Sequence, residues 1–105
     1  MTNIVEEITE KRFSDFVKKG MVVVDFWASW CMPCLMMSPV VEEVAGKMKK
    51  IKFGKINVDE NPNLSEKFKV MSIPTLIIFK EGKEIDRIIG SQSFDKIEEK
   101  LNGLI

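Results

Sequence analysis

Apolar positions recur along this chain with two periods, and the switches between them divide it into nine elements. Asn3 to Ile8 reads as a short strand. Thr9 stands where a helix N-cap belongs, and Phe13, Phe16 and Val17 behind it share one helical face. Gly20 closes that helix. Met21 to Ala28 is a nearly unbroken apolar run rich in β-branched residues, the pattern of a strand buried on both faces. Pro33 occupies a first-turn position and opens a helix to about Met48, with Val40, Val41, Val44 and Met48 as its apolar face. Pro39 is expected to kink this helix, because proline removes a backbone donor and crowds the preceding turn. Ile51 to Val58 is the next strand. Asn61-Pro62-Asn63 starts a short helix ending near Lys69, and Thr75 to Phe79 is again a strand. Glu81-Gly82 turns the chain into a last strand, Lys83 to Ile89. Ser93 then caps a helix that repeats Phe94, Ile97, Leu101 and Leu104 at helical spacing.

The order β-α-β-α-β-α-β-β-α belongs to the α/β class. Its early βαβ pieces call for parallel strands and its late hairpin for an antiparallel pair, so the sheet is mixed and carries helices on both faces. A length of 105 residues fits one domain, 1–105, large enough to bury a core without cross-links. Acidic and basic side chains balance at 16 each, which argues against nucleic acid as a partner. Met1 to Glu7 lacks the basic and apolar regions of a secretory leader, and Met21 to Val24 is far too short to span a bilayer. No membrane association is expected, and the expected home is the cytosol. Histidine is absent, so chemistry here runs on Cys, Asp, Glu, Lys or the backbone.

The two cysteines, Cys31 and Cys34, stand three apart at a strand-to-helix junction. Residues so spaced on a helix are neighbours, and a modest adjustment brings their Cβ atoms within disulfide range. The ring would enclose only two residues, so the bond removes little entropy from the unfolded chain. Such a bond suits making and breaking better than holding a fold. Cys31 lies at the helix N-terminus, where free N–H groups and the macrodipole favour a thiolate, and Cys34 lies one turn inside. Cys31 should therefore attack and Cys34 should resolve. Neither Met32 nor Pro33 brings charge, and Pro33 has no N–H to give the sulfur. The thiolate is then mildly stabilised, which favours a reductant over an oxidant. Two other readings stay open. One is half of a zinc or iron–sulfur site shared by two chains, since one chain offers two thiols and no His. The other is an inert structural pair.

The segment Val24-Asp25-Phe26-Trp27-Ala28-Ser29-Trp30-Cys31-Met32-Pro33-Cys34 closely resembles the active-site segment of thioredoxins. The resemblance continues through Pro39, Lys55-Ile56-Asn57-Val58-Asp59, Ile73-Pro74-Thr75-Leu76 and Gly90, in order and over essentially the whole chain. It implies a thioredoxin fold, a central mixed sheet of four or five strands flanked by four helices. It implies reduction of protein disulfides through a reversible Cys31–Cys34 dithiol, recycled by a thioredoxin reductase, with no bound cofactor and no metal. The partners expected are disulfide-containing proteins and that reductase, and the working unit is expected to be a monomer. Two positions depart from the family pattern. Met32 replaces the usual Gly, and Leu35 replaces a common Lys, so the rim becomes more apolar beside Met36, Met37 and Met71. Of Met36 and Met37, at least one is expected to pack beneath its helix.

Asp25 is the one ionisable group in its apolar strand, and burial should raise its pKa. Its functional reading is a general base that takes the proton from Cys34, with Lys55 on the adjacent strand modulating it. A satisfied structural carboxylate is the alternative. The sequence alone makes Ile73–Pro74 a trans bond. The resemblance implies a cis bond packed against Cys31, where a strand edge pairs with an extended substrate and keeps metals off the sulfur. Trp30, Met32, Pro33, Ile73, Pro74 and Gly90 are the candidate substrate contacts. Trp30 would shield the site, and Gly90 would let a partner backbone approach. A glutaredoxin-like reductase is the enzymatic alternative, and a binding subunit with incidental cysteines is the other.

Overall fold

The computed structural model describes residues 4–105; Asn3, the expected start of the first strand, and the rest of Met1 to Asn3 lie outside the described residues. All nine expected elements form, in the expected order. They are β1 (Val5–Glu7), α1 (Glu10–Val17), β2 (Met21–Trp27), α2 (Met32–Lys47), β3 (Lys52–Asn57), α3 (Pro62–Lys67), β4 (Thr75–Lys80), β5 (Lys83–Ile89) and α4 (Phe94–Leu104). The five strands lie side by side as β1-β3-β2-β4-β5. The βαβ connections make β1, β3 and β2 parallel, and the hairpin makes β4 and β5 antiparallel to their neighbours.

Strand β2 lies at the centre, which is why its sequence does not alternate. Val22, Val23, Val24 and Phe26 are fully buried. Its odd and even positions feed two separate cores. Val23 joins Phe53, Leu76 and Ile78 against Met37, Val41 and Val44 of α2 and Ile97 and Leu101 of α4. Val22, Val24 and Phe26 join Ile56, Ile77 and Phe79 against Phe13, Phe16 and Val17 of α1 and Leu64 of α3. On that second face Phe13 and Phe68 both meet Phe79 edge-on, with ring centroids 5.5 Å apart. Burying each such ring is worth about 1.5–3 kcal/mol. Gly54 is required where β3 passes under Phe16, since a Cβ there would lie 2.7 Å from the ring.

Helix ends differ from the simplest reading. Ser93 caps α4 as expected, accepting from the Lys96 amide at 3.3 Å. Thr9 stands at the α1 N-cap, but its side chain makes no capping bond. The cap comes from across the chain: Asn61 Oδ1 accepts from the Glu10 amide at 3.0 Å. In return Glu10 Oε1 accepts from the Asn63 amide in the first turn of α3 at 3.1 Å. Helices α1 and α3 therefore cap each other, and Asn61 serves α1 rather than its own helix. Helix α1 ends at Val17, short of Gly20, and α3 at Lys67, short of Lys69. Pro39 sits inside α2, which stays helical through it although the Leu35 carbonyl loses the amide it would otherwise receive.

Candidate active site

The site is assembled where β2 ends and α2 begins. Val58 N–H donates to the Trp27 carbonyl at 2.9 Å, closing the end of the β2–β3 pair, and Cys31 N–H donates back to the Ala28 carbonyl at 3.2 Å. That turn leaves Cys31 as the N-cap of α2, in extended backbone. Its Sγ accepts the Cys34 amide at 3.2 Å. This is the bond a capping Ser or Asp oxygen normally makes to the third helical amide, here made to sulfur. Cys31 and Cys34 are joined as a disulfide with Cα atoms 5.2 Å apart. Although Cys34 lies one turn further inside, burial hardly separates the two, at 5% and 3% exposure in the disulfide. What separates them is the capping bond. Pro33 sits in the first turn, where its missing N–H leaves the Cys34 amide to face the sulfur.

Ile73–Pro74 is cis. It brings the Ile73 carbonyl oxygen to 3.9 Å from Cys31 Sγ, and Ile73 packs on the small cluster of Ala28, Cys31 and Cys34. The Pro74 carbonyl accepts from the Gly90 amide at 2.8 Å. Gly90 has φ +87°, a left-handed backbone that favours glycine, and the space over its missing Cβ is open. Trp30 is 68% exposed and its indole N–H donates to Asp59 Oδ2 at 2.7 Å. Asp59 is in turn held by Asn57, whose Oδ1 accepts from the Asp59 and Glu60 amides. Neither Asn57 nor Asp59 stood out as a site residue; the Asn-x-Asp spacing that makes this turn was the available signal. Met32, Met36 and Met71 are exposed, and Leu35 is too. Met37 is the one that packs beneath the helix, its thioether accepting the Gln92 amide at 3.4 Å.

Asp25 shares the parity of Val23 on β2, so it lies on the face covered by α2. It is buried, and its Oδ1 has no hydrogen-bond partner. Burial disfavours the charged carboxylate and raises its pKa to about 7; the positive charge of Lys55, its register partner on β3, pulls in the opposite direction. Lys55 Nζ also lies 5.4 Å from the centre of the Trp27 ring. Trp27 packs against the cluster of Ala28, Cys31 and Cys34, its indole N–H buried without a partner, and Trp30 is the surface tryptophan. Among the described residues no group of three or more His, Cys, Asp or Glu is arranged to hold a metal ion. No described helix is long and apolar enough to cross a membrane.

The sequence matches the Thioredoxin family model over residues 4–103. A thioredoxin from Staphylococcus saprophyticus is 46% identical over 96 residues, covering 90% of this chain and 92% of that protein. One from Staphylococcus haemolyticus is 44% identical over 99 residues, covering 93% of this chain and 95% of that protein. Among solved structures, a mutant thioredoxin from Halobacterium salinarum matches with a TM-score of 0.88 at 29% identity, over 98% of this chain and 93% of that one.

Proposed function

This chain belongs to the thioredoxin family and is a thiol–disulfide oxidoreductase acting on protein disulfides; from that premise we propose how its residues divide the work. The cycle starts from the Cys31–Cys34 dithiol. The Cys31 thiolate attacks one sulfur of a substrate disulfide and forms a mixed disulfide, and the displaced substrate sulfur leaves as a thiolate that takes a proton from water. Cys34 then gives its proton to Asp25 and attacks Cys31 Sγ. The second substrate sulfur leaves, and the Cys31–Cys34 disulfide remains. Two electrons pass to the substrate, and a reductase or another dithiol returns them.

The capping bond from the Cys34 amide to Cys31 Sγ carries this assignment, because it stabilises negative charge on one sulfur only. A base for the second step must be able to take a proton near neutrality, and Asp25, raised to about 7, meets that need. Lys55 limits the rise. The exposed rim of Trp30, Met32 and Pro33, with Ile73, Pro74 and Gly90, takes the substrate segment. The cytosol is the compartment proposed for this cycle, and the monomer its working unit.

Trapping tests the roles of the two sulfurs. Wild-type protein should reduce insulin with dithiothreitol as donor. Cys34→Ser should hold substrate proteins as mixed disulfides through Cys31, releasable by dithiothreitol, and Cys31→Ser should hold few or none. Mass spectrometry of the adducts reads the outcome. Preferential trapping by Cys31→Ser would reverse the roles, and no mixed disulfide with either variant would remove them.

A further inference from the structure

Between α3 and β4 the chain must deliver Ile73–Pro74 to the sulfur, and the start of that segment is set by how α3 stops. The stop is a Schellman turn. Lys69 N–H donates to the Glu66 carbonyl at 3.1 Å and Val70 N–H to the Ser65 carbonyl at 2.9 Å, with Lys69 at φ +53°. Such a turn leaves the carbonyl of the C-cap residue, Phe68, pointing out of the helix without a backbone donor. Arg87 supplies one. Its register partner on β4 is Ile77, which packs on the α1–α3 face, so Arg87 lies on the side of the sheet that carries α3. Its Nη2 donates to the Phe68 carbonyl at 2.9 Å. Glu84 aims the guanidinium from behind: Nε and Nη2 donate to its two carboxylate oxygens at 2.7 and 2.9 Å. Three residues further along the same strand direction, Gly90 N–H takes the Pro74 carbonyl at 2.8 Å. The β5 segment thus holds the connecting loop at both ends, by a side chain at Phe68 and by backbone at Pro74.

We propose that Arg87 is a positioning residue for disulfide reduction: by holding the Phe68 carbonyl it sets the placement of the 69–74 segment that presents Ile73 and Pro74 beside Cys31. It touches neither sulfur nor substrate. Its effect falls on recognition of an extended polypeptide along the loop and leaves the sulfur chemistry alone. Thr75 Oγ1, donating to the Ser72 carbonyl at 2.7 Å, holds the loop locally, whereas Arg87 is the side chain that reaches it from another strand.

The inference rests on the oxidoreductase reading above, and the test separates the two. Arg87→Met keeps the aliphatic stem and removes the fork; Arg87→Lys keeps the charge without the fork; Glu84→Gln leaves the fork poorly aimed. Steady-state reduction of insulin with dithiothreitol as donor, and single-turnover reduction of dithionitrobenzoate, a small aromatic disulfide, by prereduced protein freed of donor, are compared with wild type. Arg87→Met should raise KM for insulin about threefold to tenfold, with kcat within about twofold, a change of roughly one hydrogen bond at a partly buried site. Arg87→Lys and Glu84→Gln should move KM the same way by less. The rate with dithionitrobenzoate and the pH midpoint of Cys31 alkylation by iodoacetamide should not change in any of the three. An unchanged insulin KM in Arg87→Met overturns the proposal, and so does an equal loss on both disulfides. If Arg87→Met does not fold, Arg87→Lys and Glu84→Gln decide by the same criteria. A wild-type protein that reduces neither disulfide would instead refute the oxidoreductase reading.

Discussion

Burial at Asp25 places a carboxyl pKa where a proton acceptor is useful, and the same burial makes the group a liability to stability. Its folded pKa of about 7 lies above the unfolded value near 3.8. Between those values the folded state binds the extra proton, so stability falls as pH rises through the window and the penalty persists above pH 7. Each pKa unit corresponds to about 1.4 kcal/mol, so the penalty is a few kcal/mol at alkaline pH. Asp25→Asn should therefore raise the urea midpoint at pH 8, with the gain fading as pH drops toward 4. The decay of a Cys31 mixed disulfide, followed by stopped flow, should slow in the same variant. A variant less stable than wild type at pH 8, with undiminished decay of the mixed disulfide, would refute both the burial penalty and the base. The raised pKa of Asp25 was legible in the sequence, because a lone acid inside the apolar run Met21–Ala28 is buried with its strand, where the charged form is disfavoured. The cis bond at Ile73–Pro74 was not legible from local rules: nothing in a dipeptide reveals an isomer that tertiary packing selects.

Elements are legible in the sequence where one face repeats, and their ends are not where they depend on a distant partner. The faces of α1 and α4 were visible as Phe13, Phe16 and Val17, and as Ile97 and Leu101, and these residues are buried. Caps are different. Thr9 has the right side chain and makes no capping bond: the Arg12 amide it could cap donates to the Thr9 carbonyl at 3.1 Å, and Asn61 reaches across the chain to the Glu10 amide. The end of α3 is similar: a Schellman turn usually places glycine in the left-handed position, and this chain has Lys69 there at φ +53°. A side chain in that region costs about 1 kcal/mol. Lys69→Gly should recover roughly 0.5 kcal/mol after the larger unfolded entropy of glycine is counted, raising Tm by about 2–4 °C. Scanning calorimetry reads the shift; a lower Tm would mean that the Lys69 side chain stabilises the turn by more than its strain.

At the scale of the whole molecule, two cores built on one central strand support a small exposed rim, and the charges around them sum to zero. With no net charge the molecule as a whole favours neither acidic nor basic partners, and recognition falls to the local chemistry of the rim. Leu35, 43% exposed in the first turns of α2, is apolar where the resemblance to thioredoxins implies a common lysine. Leu35→Lys should raise the rate with acidic protein disulfides at low salt and make that rate fall as salt is added. Insulin reduction driven by dithiothreitol should change by less than about twofold. Rates measured across an ionic-strength series check this, and equal effects on all substrates would show that Leu35 acts on the thiols. The global pattern was legible because nine elements and a central apolar strand dictate a mixed sheet. The contacts joining distant segments, such as Arg87 on Phe68, were not, since neither residue carries a local signature of the other.

The reciprocal caps of α1 and α3 set an order on how the chain becomes structured during synthesis. Asn61 lies 51 positions beyond the amide it serves, and Asn63 lies 53 beyond the carboxylate that serves it. While the ribosome has released only the first half of the chain, α1 has its apolar face but no partner from across the chain for the Glu10 amide, and an eight-residue helix is marginal by itself. Its start is completed only when the segment after β3 emerges and folds back. The N-terminal helix therefore gains its cross-chain support late: Asn61 and Asn63 bring both halves of it together, from one segment made after β3.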